Sequence, residues 1–347
     1  MIGRKASILL IYTGGTIGMK QDPEKGGLVP FDFSQILDEV PELAKFALRI
    51  DSVAFDPLID SSDIEPSMWI SLAKIIEERY DAYDGFVVLH GTDTMAYSAS
   101  ALSFMLKNLT KPVIFTGSQL PVGVPRTDGK ENLISSVEIA SATDSEGHAL
   151  VPEVCIFFGS LLLRGNRAVK ESSEAFTAFT SPNFPPLAES GISIRYNTSA
   201  IYRPADWNAP LTVHYALDTR VAILKLHPGM TPEIVRHFLL GKETRAVIIE
   251  TYGSGNAPAR DWFLDIVRES SESGKILVNV TQCLKGGVDM DIYANGRKLK
   301  DAGVVSGHDG TTESTLAKLF VFMGKTTDND TVKARLSQNL RGEILLS

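Results

Sequence analysis

Seven short apolar runs punctuate the chain, at residues 8–12, 86–90, 113–116, 154–158, 221–226, 246–251 and 276–280. Each is about one strand long and lacks polar alternation. That is the pattern of strands buried on both faces of a parallel sheet. Stretches of helical period lie between them. Pro66 precedes Met68, Leu72, Ile75, Ile76 and Tyr80, which predicts a helix with proline in its first turn. Further helices are predicted over 95–107, over 128–141 with Asp128 as N-cap, over 231–240 opening with Thr231-Pro232-Glu233, and within 256–270. Strand alternating with helix predicts an α/β fold. The rhythm breaks over 181–218, where Pro182, Pro185, Pro186, Pro204 and Pro210 interrupt short hairpin-like runs. The chain is therefore read as two α/β units, 1–205 and 219–347, joined by a linker at 206–218.

Charge and cysteine usage exclude several function classes. Lys and Arg number 34 against 42 Asp and Glu, a net charge of −8. Nucleic-acid binding depends on basic patches that displace counterions, so an acidic chain with no Lys/Arg cluster points away from it. No uncharged apolar run approaches the ~20 residues of a membrane span. The run at 8–12 is shorter than the roughly 7–15 apolar residues of a signal peptide and reads as a buried first strand. A cytoplasmic protein with no membrane partner is expected. Cys155 and Cys283 make no CxxC or zinc spacing, and each lies in an apolar stretch, so both are read as buried free thiols. The six histidines show no HExxH pairing, and neither a metal nor a cofactor is expected.

Five segments follow strand ends or precede helices, the positions where ligands bind in open α/β sheets. Tyr12-Thr13-Gly14-Gly15-Thr16-Ile17-Gly18-Met19 matches neither a P-loop nor GxGxxG. Its paired glycines allow close backbone approach and leave the hydroxyls of Thr13 and Thr16 facing a cleft; an ordinary glycine turn explains them equally well. In His90-Gly91-Thr92-Asp93-Thr94-Met95, Asp93 reads as a helix cap or as a carboxylate fixed to receive an ammonium group. Thr92 becomes a nucleophile, or an activator of water, only with a base in reach. Lys170, in Arg164-Gly165-Asn166-Arg167-Ala168-Val169-Lys170, is a candidate base if desolvated, although a lone loop lysine is usually a solvated charge. Asp60-Ser61-Ser62-Asp63 lacks EF-hand spacing and favours capping or a turn over metal binding. Tyr252-Gly253-Ser254-Gly255-Asn256-Ala257-Pro258 reads as a loop near a ligand or a neighbouring subunit, or as a plain turn. With no GxSxG elbow, the inventory is threonine hydroxyls, a lysine and polar anchors, which suits attack on the carbonyl of a small polar molecule.

Taken together and in order, residues 12–19, 60–63, 90–97, 116–119, 164–170, 252–258 and 281–283 resemble bacterial-type L-asparaginases, specifically cytosolic type I enzymes. The likeness continues to Asn339-Leu340-Arg341-Gly342-Glu343. It implies a larger flavodoxin-like N-terminal parallel-sheet domain and a smaller parallel α/β C-terminal domain. It implies hydrolysis of L-asparagine to L-aspartate and ammonia without a cofactor. It also implies a homodimer or homotetramer, because the site lies where one subunit's N-terminal domain meets its neighbour's C-terminal domain. Thr16 matches the family's nucleophilic threonine, and Thr92, Asp93 and Lys170 match its second catalytic group. Ser61, Ser62 and Asp93 match the groups that hold the substrate's α-carboxylate and α-ammonium, with Asp60 beside them. Asn256 matches a polar residue that reaches toward the neighbouring site. The competing version has Thr92, backed by Lys170, orient water or attack directly.

Two positions depart from the family pattern. Several relatives carry a tyrosine near Leu28, in a loop that here reads Lys25-Gly26-Gly27-Leu28-Val29-Pro30 and can act as a lid. Some type I enzymes bind asparagine at a second site through an arginine. The matching position here is Glu250, although Cys283 is retained, so little or no activation by asparagine is expected. The alternatives are a related amidohydrolase acting on glutamine, an asparaginase-like subunit of a glutamyl-tRNA(Gln) amidotransferase, a non-catalytic amino-acid sensor, and a phospholipid hydrolase.

Overall fold

The computed structural model describes residues 5–21, 28–30 and 39–346. The chain divides into two compact units, Met1–Val213 and His214–Ser347.

The first unit is built on an eight-stranded sheet. Its strands are β1 (Ser7–Tyr12), β2 (Arg49–Ala54), β3 (Gly85–Leu89), β4 (Val113–Thr116), β5 (Val154–Phe158), β6 (Leu161–Arg164), β7 (Ala188–Glu189) and β8 (Arg195–Tyr196), in the order β8-β7-β6-β5-β4-β3-β1-β2. Strands β1 to β5 are mutually parallel, whereas β6, β7 and β8 extend the sheet as antiparallel pairs. The parallel core thus runs 2-1-3-4-5, the flavodoxin-like order. Every residue of β1, β3, β4 and β5 is buried, as their unbroken apolar runs predict. Edge strand β2 escaped that reading because its residues are half-buried or exposed, as a single-neighbour strand allows.

Helices α1 (Pro66–Arg79), α2 (Met95–Met105) and α3 (Gly129–Ser141) cover the sheet. Leu133 and Val137 of α3 pack with Ile8, Leu10, Val87 and Leu89, alternate residues that share one sheet face. Position 128 corrects the sequence reading. Asp128 stands at the N-cap position with αR backbone and makes no side-chain cap. Its carboxylate instead accepts from the Gln119 and Leu120 amides and from Asn132 Nδ2. It therefore braces the loop after β4 rather than the helix end.

The second unit has four parallel strands, β9 (Val221–Lys225), β10 (Ala246–Thr251), β11 (Ile276–Thr281) and β12 (Val305–Ser306), in sequential order. Period-2 alternation splits its core into two layers. Val247, Ile249 and Leu277 face α4 (Pro232–Leu240) and α5 (Asp261–Glu272) through Val235, Leu239, Phe263 and Val267. Ile248, Ile276 and Val278 face α7 (Thr312–Lys325) and α8 (Asn329–Leu336) through Leu319, Met323 and Val332. A short helix, α6 (Ala294–Asp301), completes the unit. Thr231 caps α4 through Ile234 N, as its Thr-Pro-Glu start predicts.

Of the predicted lid, Lys25, Gly26 and Gly27 lie outside the described residues, and Leu28–Pro30 pairs antiparallel with Met19–Gln21. The two thiols differ. Cys155 is buried in β5, but Cys283 is exposed, which corrects the expectation for it. Strand β11 ends at Thr281, so Cys283 sits in a bend beyond the sheet's cover.

Candidate active site

In the order 2-1-3 the chain reverses direction across the sheet between β1 and β3, so the crevice opens beyond the carboxyl ends of those two strands. The loops that emerge there hold Thr16 and Thr92. They touch backbone to backbone: a Cβ on Gly15 would lie 2.6 Å from Gly91 Cα, and Gly15 has φ 90°. Only glycine meets both demands. The Tyr12 phenol sits beneath this loop and donates to Gly15 O at 3.2 Å. Burial pushes that phenol up to about 12, so it stays a donor at any working pH.

The two threonines of the first loop face different ways. Thr13 is buried, and its amide and its hydroxyl both donate to Leu89 O at 3.0 Å, so it ties the loop to β3. The expectation that its hydroxyl faces the cleft is corrected by that bond. Thr16 opens a 3-10 turn, Thr16–Gly18, is half-buried, and its hydroxyl meets no partner among the described residues.

Around Thr92 the polar groups are connected. Lys170 Nζ lies 2.9 Å from Thr92 Oγ1 and 2.6 Å from Asp93 Oδ1. The Lys170 side chain is 20% exposed, which departs from the solvated reading of a lone loop lysine. Its position has a structural cause. Arg164 and Glu153 form a buried two-point ion pair, Gly165–Arg167 makes a 3-10 turn, and the short strand Val169–Lys170 pairs with Phe179–Thr180. Asp93 does not cap α2; Thr94 occupies that position without a side-chain cap. The Thr94 hydroxyl instead donates to Ser61 O at 2.7 Å. Asp93 faces Lys170 and Ser61, whose Oγ lies 3.4 Å from Asp93 Oδ2.

The segment at 60–63 is a 3-10 turn capped by Asp60, which accepts from Ser62 N at 2.9 Å and Ser62 Oγ at 2.8 Å. The amide and then the hydroxyl of Ser62 hold the Asp60 carboxyl below the usual carboxylate range. Among the described residues, no three His, Cys, Asp or Glu are grouped to hold a metal ion. Thr92, Asp93, Lys170 and Ser61 are therefore joined by hydrogen bonds, with Asp60 and Ser62 in the same turn as Ser61. Asn256 belongs to the second unit. It closes the turn after β10 through paired backbone bonds with Tyr252, at 2.8 and 2.9 Å.

One residue of the site was missed by sequence reasoning. His90, at the mouth of β3, is 1% exposed and fully hydrogen-bonded, with Nδ1 at 2.6 Å from Gly91 O and Nε2 at 2.9 Å from Ser98 Oγ. Trp69 Nε1 donates to the same Ser98 Oγ at 2.9 Å. In the sequence it was only the first residue of the 90–97 motif, a polar residue ending an otherwise apolar run, and no role was assigned to it.

What the arrangement offers chemically is a half-buried hydroxyl on one loop, a lysine-bonded hydroxyl on the next, and a carboxylate beside them. That set suits nucleophilic attack on a small polar carbonyl compound. Comparison with known proteins agrees. Residues 7–202 match the family described as Asparaginase, N-terminal, and residues 220–336 match the Glutaminase/Asparaginase C-terminal domain. The chain is 43% identical over 350 residues to L-asparaginase 1 of Escherichia coli K12, with 98% of each chain aligned. It is 41% identical over 367 residues to the 60 kDa lysophospholipase of Homo sapiens, covering 99% of this chain and 62% of that protein. The crystal structure of L-asparaginase I from Vibrio cholerae O1 biovar eltor matches with a TM-score of 0.90 at 41% identity, covering 99% of this chain and all of that one. On two matched domains and near full-length identity, the chain belongs to the asparaginase family.

Proposed function

We propose that this protein hydrolyses the side-chain amide of L-asparagine to L-aspartate and ammonia through a covalent β-aspartyl-enzyme. The observation that carries the reading is Lys170 Nζ bonded to both Thr92 Oγ1 and Asp93 Oδ1 beside the loop that bears Thr16. In the proposed sequence, Thr16 Oγ attacks the amide carbon while its proton passes to the Thr92–Lys170–Asp93 line. The tetrahedral intermediate collapses, the C–N bond breaks, and nitrogen leaves with an added proton as ammonia. Water then attacks the ester, aspartate departs, and a proton returns to Thr16. Backbone N–H groups of the two loops hold the oxyanion, each lowering the barrier by about 2.7–4 kcal/mol. Ser61, Ser62 and Asp93 take the α-carboxylate and α-ammonium, with Asp60 holding their turn. Asn256 acts from the second unit of a neighbouring subunit in a homodimer or homotetramer.

A second reading keeps Thr92 as the attacking group or the one that orients water. Lys170 touches Thr92 rather than Thr16, which favours it. The amidotransferase-subunit alternative is disfavoured by the 43% identity to an L-asparaginase over 98% of both chains. Some glutamine turnover is expected, since one methylene in a snug site changes selectivity by only about 1–3 kcal/mol. No helix among the described residues is long and apolar enough to cross a membrane. A cytoplasmic location is part of the proposal. The test is ammonia release from asparagine and glutamine by the wild type beside Thr16→Val. Equal activity in the two proteins contradicts the Thr16 mechanism.

A further inference from the structure

The buried chain Trp69–Ser98–His90 has one consistent set of proton positions. A carbonyl oxygen only accepts, so the 2.6 Å contact to Gly91 O places a proton on His90 Nδ1. In the neutral ring Nε2 is then an acceptor, and the Ser98 hydroxyl donates to it at 2.9 Å. The Ser98 oxygen in turn accepts from Trp69 Nε1 at 2.9 Å. Every donor in the line meets an acceptor, which is what a fully buried polar network needs to be tolerated. It runs from α1 through α2 to the peptide that joins Gly91 to Thr92.

That peptide is trans, because Asp56–Pro57 is the single cis bond among the described residues. In a trans peptide the carbonyl and the next N–H point to opposite sides. With the Gly91 carbonyl turned inward to His90, the Thr92 N–H is turned away from the ring. It meets no acceptor among the described residues. We infer that His90 is a positioning residue: its Nδ1–H holds the Gly91 carbonyl inward and so aims the Thr92 N–H at the substrate's reacting carbonyl oxygen. This role rests on the amide hydrolysis proposed above. Burial lowers the His90 ring to about 4, consistent with a neutral imidazole at working pH. Phe115 closes one side of the ring, edge-on at 5.7 Å between centroids.

Imidazole nitrogen NMR on histidine-labelled enzyme reads the tautomer directly, with the His90 signal assigned by its loss in His90→Asn. A neutral ring protonated at Nδ1 is expected. In kinetics, His90→Leu keeps apolar bulk but removes the donor, and kcat for asparagine is expected to fall about 10²–10³-fold with KM little changed. His90→Asn can present an amide donor near the Nδ1 position and is expected to recover at least about tenfold of that loss. A merely structural histidine would lower thermal stability without this kcat-against-KM split. If His90→Leu does not fold, His90→Asn carries the kinetic arm, and a kcat loss as large as about 10²–10³-fold in it contradicts the role. Equal kcat losses in the two variants, a loss confined to KM, or an Nε2-protonated ring in an active enzyme overturns the inference alone. A wild type that releases no ammonia from asparagine overturns the proposed function and this role with it.

Discussion

Single side chains carry the sharpest expectations. Thr16→Val removes the hydroxyl with little change in volume, and kcat for ammonia release from asparagine is expected to fall about 10³-fold or more. Lys170→Met removes the proton acceptor while keeping the stem that packs beside Thr92, and a loss of about 10²–10⁴-fold is expected. In both variants the loss should appear in kcat rather than KM, measured by steady-state ammonia assay. His90 also sets a pH limit on stability. Its ring lies at about 4 in the folded protein against 6.5 in the unfolded chain. The unfolded state therefore binds more protons between those values. The stabilisation is complete above pH 6.5 and is lost as pH falls to about 4. Unfolding free energies from denaturant titrations across that interval should decline on the acid side, by up to about 3 kcal/mol from this residue. In His90→Asn that component of the slope should vanish. Much at this scale was legible. The motif residues Thr92, Asp93 and Lys170 were identifiable before any coordinates, although not their bonding. Thr13 and His90 were misjudged or passed over, because hydroxyl direction and burial of a strand-end polar group are tertiary facts.

Between loops and helices, the fit of Gly15 against Gly91 decides whether the two threonine loops share one crevice. Gly15→Ala puts a methyl 2.6 Å from Gly91 Cα at φ 90°. The strained backbone alone should cost about 1–3 kcal/mol, read as a lower thermal midpoint. The displaced loops should reduce kcat by more than that loss of stability explains, with native circular dichroism retained. Elements with a clear period were readable from the sequence: the buried central strands, the Pro66 helix and the Thr231-capped helix. Edge strand β2 lacked an apolar run because one side faces solvent, and the antiparallel strand β6 was not seen as a separate element. Capping was the weakest inference. Asp93 lies one residue before the N-cap of α2 and Asp128 at the N-cap of α3, but each carboxylate is drawn to tertiary partners that local sequence does not show.

For the molecule as a whole, composition and strand rhythm already implied two α/β units, and the order 2-1-3-4-5 in the first explains where a site can form. The second unit is closed by a buried ion pair, Lys318 to Glu343 at 2.6 Å, with side chains 3% and 1% exposed. Burial holds the Lys318 ammonium below its ordinary range, and Glu343 opposes that shift. The same carboxylate accepts the Leu340 and Arg341 amides, so it fastens the segment after α8. Glu343→Ala leaves a buried ammonium without its counter-charge and should destabilise the protein by about 3–5 kcal/mol in denaturant unfolding. Nothing in the sequence rhythm announced that clamp, since Lys318 and Glu343 are distant along the chain and each looks like a surface charge. The central claim for the whole molecule is that Thr16 becomes acylated. Rapid acid quenching during asparagine turnover, followed by peptide mass spectrometry, tests it most directly. An added β-aspartyl group is expected on the peptide that contains Thr16, absent in Thr16→Val. An adduct on Thr92 instead, or full turnover by Thr16→Val, would contradict it.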